Sequence, residues 1–190
     1  MQTTLAPTLL DRSLPRLDQR VRDILLVVGG SLFVAGMAQV RIPLPFSPVP
    51  ITGQTFAVLL VGATLGSRRG AASLLLYLIL GLLGLPIFAA GASGLAYLSG
   101  PTGGYLVGFI ISASLVGLLA TRGMDRRIPS ALLAFLAGEV VIYLCGVAWL
   151  SLFLGIQRAI VAGLLPFLIG DAIKLAAAGL ALPAAWKLVK

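Results

Sequence analysis

An acid and a base occur in an otherwise apolar stretch near the C-terminus. Asp171 and Lys174 are the only charged residues between positions 159 and 186. A helix needs about 20 residues to cross a bilayer, and this stretch is longer. Inserting each charge into the membrane costs about 2.5–3.5 kcal/mol. A spacing of three puts both residues on one helix face, about 5–6 Å apart at Cβ. The two residues therefore form either a structural ion pair between packed helices or a polar anchor for a solute.

Other polar residues in apolar stretches extend the candidate anchor. Glu139 lies roughly 14 Å from the start of its predicted helix, and Tyr143 follows one turn later. Glu139 either faces Lys174 and balances its charge or faces elsewhere. Thr52 and Gln54 open another apolar stretch and offer neutral hydrogen bonds. One cation with one or two carboxylates suits a small, polar, anionic solute.

The composition identifies an integral membrane protein and argues against an enzyme. Of the 190 residues, 59% are hydrophobic and 11% are charged, whereas a soluble domain carries about 25% charged residues. Histidine is absent, which removes the commonest general base and metal ligand. The chain also lacks a phosphate-binding G-x-x-x-x-G-K-[ST] loop. We therefore expect no metal and no cofactor, and ATP hydrolysis, if used, belongs to another chain.

Six apolar stretches predict an all-α protein with six transmembrane helices. Residues 1–23 form a basic cytoplasmic arm, either an amphipathic turn on an anionic leaflet or a solvated segment. Residues 24–190 form a single six-helix membrane domain. The predicted spans are residues 24–40, 51–67, 70–90, 104–121, 130–154 and about 164–186.

The basic residues predict the orientation of these helices. Eleven of the fourteen lysines and arginines fall on one side of the predicted membrane, two on the other and one within it. Basic residues concentrate on the cytoplasmic side, so we expect both termini in the cytoplasm. The eleven are Arg12, Arg16, Arg20, Arg22, Arg68, Arg69, Arg122, Arg126, Arg127, Lys187 and Lys190.

The two long loops on the opposite side are nearly uncharged. The first, residues 41–52, has four prolines in eight residues, which favours a stiff, extended path. The second, residues 86–103, is rich in glycine, alanine and serine. Both suit a lid over a cavity or ordinary loop packing. Phe46, Ser93 and Tyr97 are their candidate contacts with a solute.

Several motifs resemble those of the BioY family, the biotin-specific substrate-capture (S) components of energy-coupling factor (ECF) transporters. The resemblance runs from about residue 40 to residue 174, and its proline loop and Gly-Pro-Thr-Gly-Gly loop are highly specific. The motifs are IPLPFSPVPIT (42–52) followed by QT (54–55), GLP (84–86), GPTGGY (100–105), VIY (141–143), GVAWL (146–150), PF (166–167), GD (170–171) and Lys174.

This resemblance implies a six-helix S-component bundle in a prokaryotic cell membrane, with an outward-facing biotin site. It implies that Asp171 and Lys174 contact the ligand and that the first loop closes over it. The expected partners are an ECF transmembrane subunit and two cytoplasmic ATPases. In that family a small-residue face on the first helix meets the partner, and Ser31 and Ala35 are its nearest match here.

Three alternatives remain open at this point. The chain could be an S component for another small vitamin, a solitary carrier that needs no partner, or an intramembrane enzyme acting on a lipid. Titrating the protein with biotin, thiamine and riboflavin distinguishes an S component for another vitamin from one that is specific for biotin.

Overall fold

The structure is a computed structural model that describes residues 4–189 and is almost entirely helical. Lys190, one of the eleven basic residues counted above, lies outside the described residues. Short 3-10 turns lie at Ala89–Gly91 and Met124–Arg126. The elements are α1 (Leu5–Ser13), α2 (Gln19–Gln39), β1 (Arg41–Ile42), β2 (Ile51–Thr52), α3 (Gln54–Leu65), α4 (Ser67–Leu82), α5 (Leu95–Leu98), α6 (Gly103–Thr121), α7 (Ile128–Leu154), α8 (Ile156–Gly163) and α9 (Leu168–Val189).

Among the described residues, four helices, α2, α6, α7 and α9, are long and apolar enough to cross a membrane. The other two predicted spans are shorter than expected, because α3 has 12 residues and α4 has 16, or about 18 and 24 Å. Gly66, at φ +83°, separates them, and Gly84, at φ +101°, follows the end of α4. The prediction of an all-helical fold is confirmed. The prediction of six transmembrane helices is not confirmed.

The helices differ in how far they lie inside the bundle. Of the apolar part of α6, 61% is buried within the chain, against 22% for α2. Eight of the twelve residues of α3 are also buried, so that helix packs mainly against the rest of the chain. Helix α6 is therefore central, and α2 is peripheral with a wide exposed face.

At one end of the bundle, α1 and the end of α9 pack together. Leu5 belongs to the same buried cluster as Leu182 and Trp186. The Trp186 indole donates to Asp125 (2.6 Å), and the Arg126 guanidinium lies 4.4 Å from the Trp186 ring centroid. Burial raises the pKa of the Asp125 carboxyl, and the Trp186 hydrogen bond opposes this shift. The arm predicted as a turn or solvated segment thus contains a helix that joins the core.

The proline loop at the other end is a hairpin. Strands β1 and β2 pair in antiparallel register, with Arg41 opposite Thr52 and Ile42 opposite Ile51. The sequence predicted an extended path but not the pairing that closes it. The second loop is attached to α2, because the Gln39 amide donates to the Phe88 carbonyl (3.1 Å) and accepts from the Gly91 N–H (3.2 Å).

Helix α8, which the sequence did not predict, connects α7 to the start of α9. Its last turn leaves carbonyl groups without helical partners. Two hydroxyls from other elements donate to them. Ser47 Oγ donates to the Ala162 carbonyl (2.7 Å), and Tyr105 OH donates to the Gly163 carbonyl (2.6 Å). Helix α8 is thereby joined to the proline loop on one side and to α6 on the other.

Candidate functional site

The acid and base of the last helix form the centre of a polar cluster. Helix α9 begins at Leu168, after a turn containing Pro166, so both residues lie in its first two turns. Lys174 Nζ donates to Asp171 Oδ1 (2.8 Å), to the Thr52 carbonyl (2.6 Å) and to Thr55 Oγ1 (3.0 Å). The ammonium therefore has three acceptors at normal distances.

The Asp171 carboxylate is held from three helices. It is only 3% exposed. Besides Lys174 on its own helix, it accepts from Thr55 Oγ1 on α3 (3.1 Å) and from the Tyr143 hydroxyl on α7. A buried carboxylate needs such donors, and their number explains how it is accommodated. Sequence reasoning missed Thr55, whose only signal was its place beside Gln54 in the motif.

A cavity of about 40 Å³ lies against this cluster, with room for a few water molecules. Its polar lining includes five predicted site residues, and its apolar lining comes from α6, α7 and the loops. The lining residues are Val49, Pro50, Thr52, Gln54, Thr55, Ala89, Tyr97, Thr102, Tyr105, Leu106, Phe109, Ile142, Tyr143, Phe167 and Lys174.

A larger cleft of about 340 Å³ lies between the two loops, next to the cavity. Tyr97, Pro50 and Thr102 line both spaces, so they form the partition between cleft and cavity. Arg41 lines the cleft and supplies a second cation that the sequence analysis did not assign to the site.

Aromatic stacking fixes Tyr97 in this partition. Its ring lies 5.1 Å from that of Phe88 in a stacked arrangement, and Phe88 meets Tyr77 edge-on at 5.4 Å. The Gln54 amide donates to the Tyr77 hydroxyl (2.8 Å). Burial raises the pKa of the Tyr97 phenol, while Thr102 and Arg41 oppose the shift. Tyr97 is thus a neutral hydroxyl at the cavity mouth.

The remaining predicted contacts lie elsewhere. Glu139 is 2% exposed and does not line the cavity. Phe46 is 64% exposed and lines a separate groove with Arg158. Ser93 is half-buried in the second loop, also away from the cavity lining. The structure therefore brings together six predicted residues: Thr52, Gln54, Tyr97, Tyr143, Asp171 and Lys174. It does not bring Glu139, Phe46 or Ser93 to the cavity.

The predicted partner-docking residues point into the chain. Ser31 and Ala35 are 1% and 9% exposed, because this side of α2 packs on the bundle. A methyl group at the adjacent Gly30 would meet Ser73 of α4. Their small size thus serves close packing within this chain. The face of α2 that another protein could reach contains Gly29, Leu32 and Gly36 instead.

Comparison with known proteins gives one consistent result. The sequence model of the BioY family matches residues 7–190. The probable biotin transporter BioY of Pyrococcus horikoshii is 41% identical over 160 residues, covering 84% of this chain and 93% of that protein. The biotin transporter BioY of Rhizobium etli is 37% identical over 169 residues, covering 84% and 90%.

Among solved structures, the fold resembles the S-component for biotin from an ECF-type ABC transporter. The TM-score is 0.79 at 27% sequence identity, and the match covers 89% of this chain and 93% of that one. The prediction of family from the sequence motifs is therefore confirmed.

Proposed function

The chain belongs to the BioY family, whose members are transporters and not enzymes, and from this premise we propose that it captures biotin for uptake. The observation that carries the proposal is the Lys174–Asp171 pair beside a cavity under two loops. Charged groups inside a membrane protein usually mark a substrate pathway. The chain itself needs no cofactor for this task.

Biotin carries a carboxylate at one end and a ureido ring with two N–H donors at the other. Lys174 is the cation of the cavity, and we propose that it meets the carboxylate. The two ends of biotin lie farther apart than two residues spaced by three on a helix. The ureido ring therefore binds at other polar groups of the cavity, among them Gln54 and Tyr97. Arg41, in the outer cleft, is the competing partner for the carboxylate.

Calorimetric titration of the purified protein tests the proposal directly. We expect saturable binding of biotin and no comparable heat with thiamine or riboflavin. Binding of either of those vitamins at equal affinity would identify an S component of different specificity.

The two loops act as a lid in this proposal. A cavity of about 40 Å³ holds only a few water molecules, so the loops must separate before biotin enters. The proline hairpin has little conformational freedom to lose when it closes again. Its hydrogen bond from Ser47 to α8 favours the closed position.

Ser47→Ala should therefore accelerate biotin release. The substitution removes the one Ser47 hydrogen bond that joins the hairpin to α8, besides the local bonds of that hydroxyl to Val49. Losing the bond to α8, about 0.5–1.5 kcal/mol, corresponds to a dissociation rate about 2- to 10-fold higher. Dissociation of radiolabelled biotin into excess unlabelled ligand gives the rate. Ser99→Ala is the matched control, since Ser99 bonds within its own turn. An unchanged rate would reduce the hairpin to a connector.

We propose that six helices cross the cell membrane of a prokaryote, with both termini in the cytoplasm. Support comes from the separation of basic residues from the long loops. In a Cys145→Ala background, a Ser99→Cys variant should react with an impermeant thiol reagent on whole cells. A Ser13→Cys variant should react only after lysis. External labelling at position 13 would reverse the proposed orientation.

Energy for uptake comes from partner subunits in this proposal. The chain has no phosphate-binding loop, so two ATPases and an ECF transmembrane subunit supply ATP hydrolysis and coupling. We place the contact with the transmembrane subunit on the exposed face of α2, where a side chain at Gly29 or Gly36 would meet nothing within 4 Å. Small residues of this kind let helices approach closely.

Gly36→Leu should abolish co-purification with the transmembrane subunit, because the added side chain separates the two helices. Biotin binding should remain, since Gly36 lies away from the cavity. Co-purification of the Gly36→Leu variant with the transmembrane subunit would place the docking site on another face. In a separate assay, concentrative uptake by vesicles that contain this chain alone would favour a solitary carrier.

A further inference from the structure

A third intramembrane charge has no evident role in the site described above. Glu139 lies on α7, one turn before Tyr143, and is 2% exposed. Neither of its carboxylate oxygens has a hydrogen-bond partner among the described residues. The two other buried acids each accept at least one bond, Asp125 from Trp186 and Asp171 from Tyr143. Glu139 is thus the exception among them.

Among the described residues, no charged side chain lies within hydrogen-bond distance of Glu139. Helix α8 and the turn before α7 also pack on α7, but Arg158 of α8 lines a separate groove and Arg126 of that turn lies over Trp186. Helices α3 and α6, which pack on α7, contain no charged residue, and the one titratable group of α6, Tyr105, is bonded to Gly163. Helix α9, which packs on α7, contributes Asp171 and Lys174. The Lys174 ammonium already contacts Asp171, Thr52 and Thr55. One base thus faces two acids before any ligand arrives.

An anionic ligand makes this imbalance worse. With Glu139 ionised, a ligand carboxylate at Lys174 would bring three negative charges around one positive charge inside a membrane protein. Charges buried without a partner are strongly disfavoured. A proton from the solvent, added to one Glu139 oxygen, removes the third negative charge without breaking any bond in the ligand.

We propose that Glu139 is a proton-binding site, and that its protonated form is the one that admits an anionic ligand at Lys174. The inference rests on the proposed function, since it takes the ligand to be a carboxylate. Tyr143, one helical turn after Glu139 on α7, lines the cavity and donates to Asp171, so Glu139 lies about one turn along α7 from the polar cluster.

The direction of the effect follows from linkage. Ligand favours the protonated form of Glu139, so binding takes up a proton and affinity falls as pH rises. The fall is at most about tenfold per pH unit for one linked proton. A neutral ligand of the same shape, such as biotin methyl ester, should show a much weaker dependence.

Calorimetry of the full chain in detergent tests the proposal between about pH 6 and about pH 9. Titrating biotin at the alkaline end in borate and in Tris, which both buffer there and differ in ionisation heat, measures proton uptake by the wild-type protein without any variant. We expect uptake to approach one proton per biotin at the alkaline end. Glu139→Gln should lose this uptake and bind biotin more tightly than the wild type there. Asp125→Asn, at another buried acid far from the site, should keep the wild-type pH dependence.

The outcomes separate this inference from the function on which it rests. Biotin binding with equal heats in both buffers and constant affinity across the range would overturn the proton site and leave the proposed function intact. The same pH dependence in Glu139→Gln as in the wild type would also overturn it. Absence of biotin binding by folded protein at every pH would defeat the proposed function itself.

Discussion

Lys174→Met should weaken biotin binding by about 2–5 kcal/mol, the usual loss when one partner of a buried charge pair is removed. That range is about 30- to 5,000-fold in dissociation constant. The ammonium has three acceptors at 2.6–3.0 Å, so it is held in one position before ligand arrives. A pre-positioned cation loses little side-chain freedom on binding, which is why the expected effect is large.

Biotin methyl ester shows which end of the ligand meets Lys174. If Lys174 contacts the carboxylate, the ester binds weakly to the wild type, and Lys174→Met costs it little more. Equal losses for acid and ester would place Lys174 at the ureido ring or in a purely structural pair. Arg41→Met, tested on the same two ligands, detects the competing contact in the outer cleft.

Two controls keep this comparison interpretable. Lys187→Met removes an exposed lysine of the same helix and should leave biotin affinity unchanged. Asp171→Asn should also weaken binding, since Asp171 holds Lys174 and Tyr143 together. Full affinity in folded Lys174→Met and Asp171→Asn proteins would rule out the anchor.

Gly146→Leu should be strongly damaging although it lies outside the polar cluster. A side chain at Gly146 would overlap the ring of Tyr105, which is 8% exposed. Overpacking of this kind typically costs about 1–3 kcal/mol. Displacing the ring would also break the Tyr105 bond to Gly163 before α9 and deform the cavity wall. We expect lower thermal stability in detergent, followed by intrinsic fluorescence, together with weaker biotin binding.

Gly36→Leu is the matched control for this change. Nothing lies within 4 Å of a Cβ added at Gly36, and leucine favours helix over glycine by somewhat less than the about 0.8–1.0 kcal/mol that separates alanine from glycine. Its stability should therefore equal or exceed that of the wild type. Equal destabilisation by the two leucines would attribute the effect to added hydrophobicity and not to the Tyr105 contact.

The sequence predicted the centre of the site because charge in an apolar stretch is a strong signal. Asp171 and Lys174 stand out for that reason, and Tyr143 follows from its spacing after Glu139. Thr55 did not stand out, since a threonine in an apolar helix is unremarkable until its hydroxyl is seen against a carboxylate. Gln39 was missed likewise, because it binds the backbone of a loop about fifty residues away.

The all-helical class was easier to predict than the number and the lengths of the helices. Hydropathy marks where apolar residues run together, but it does not distinguish a helix from an apolar strand such as Ile51–Thr52. It also did not separate α8 from its apolar neighbours. The family resemblance proposed Ser31 and Ala35 as partner contacts, but small residues on a helix do not show whether the neighbouring helix belongs to this chain or to another.

The contact between Leu5 and the end of α9 has a consequence for biosynthesis. Leu182 and Trp186 complete the cluster that buries Leu5, so this cluster cannot form until almost the whole chain has been made. At about 5–20 residues per second, the cluster around Leu5 waits roughly ten to forty seconds for its last members. Its α3 members, Leu59 and Ala63, are made long before them. Helix α1 therefore packs on α3 first and gains its contact with α9 only at the end of synthesis.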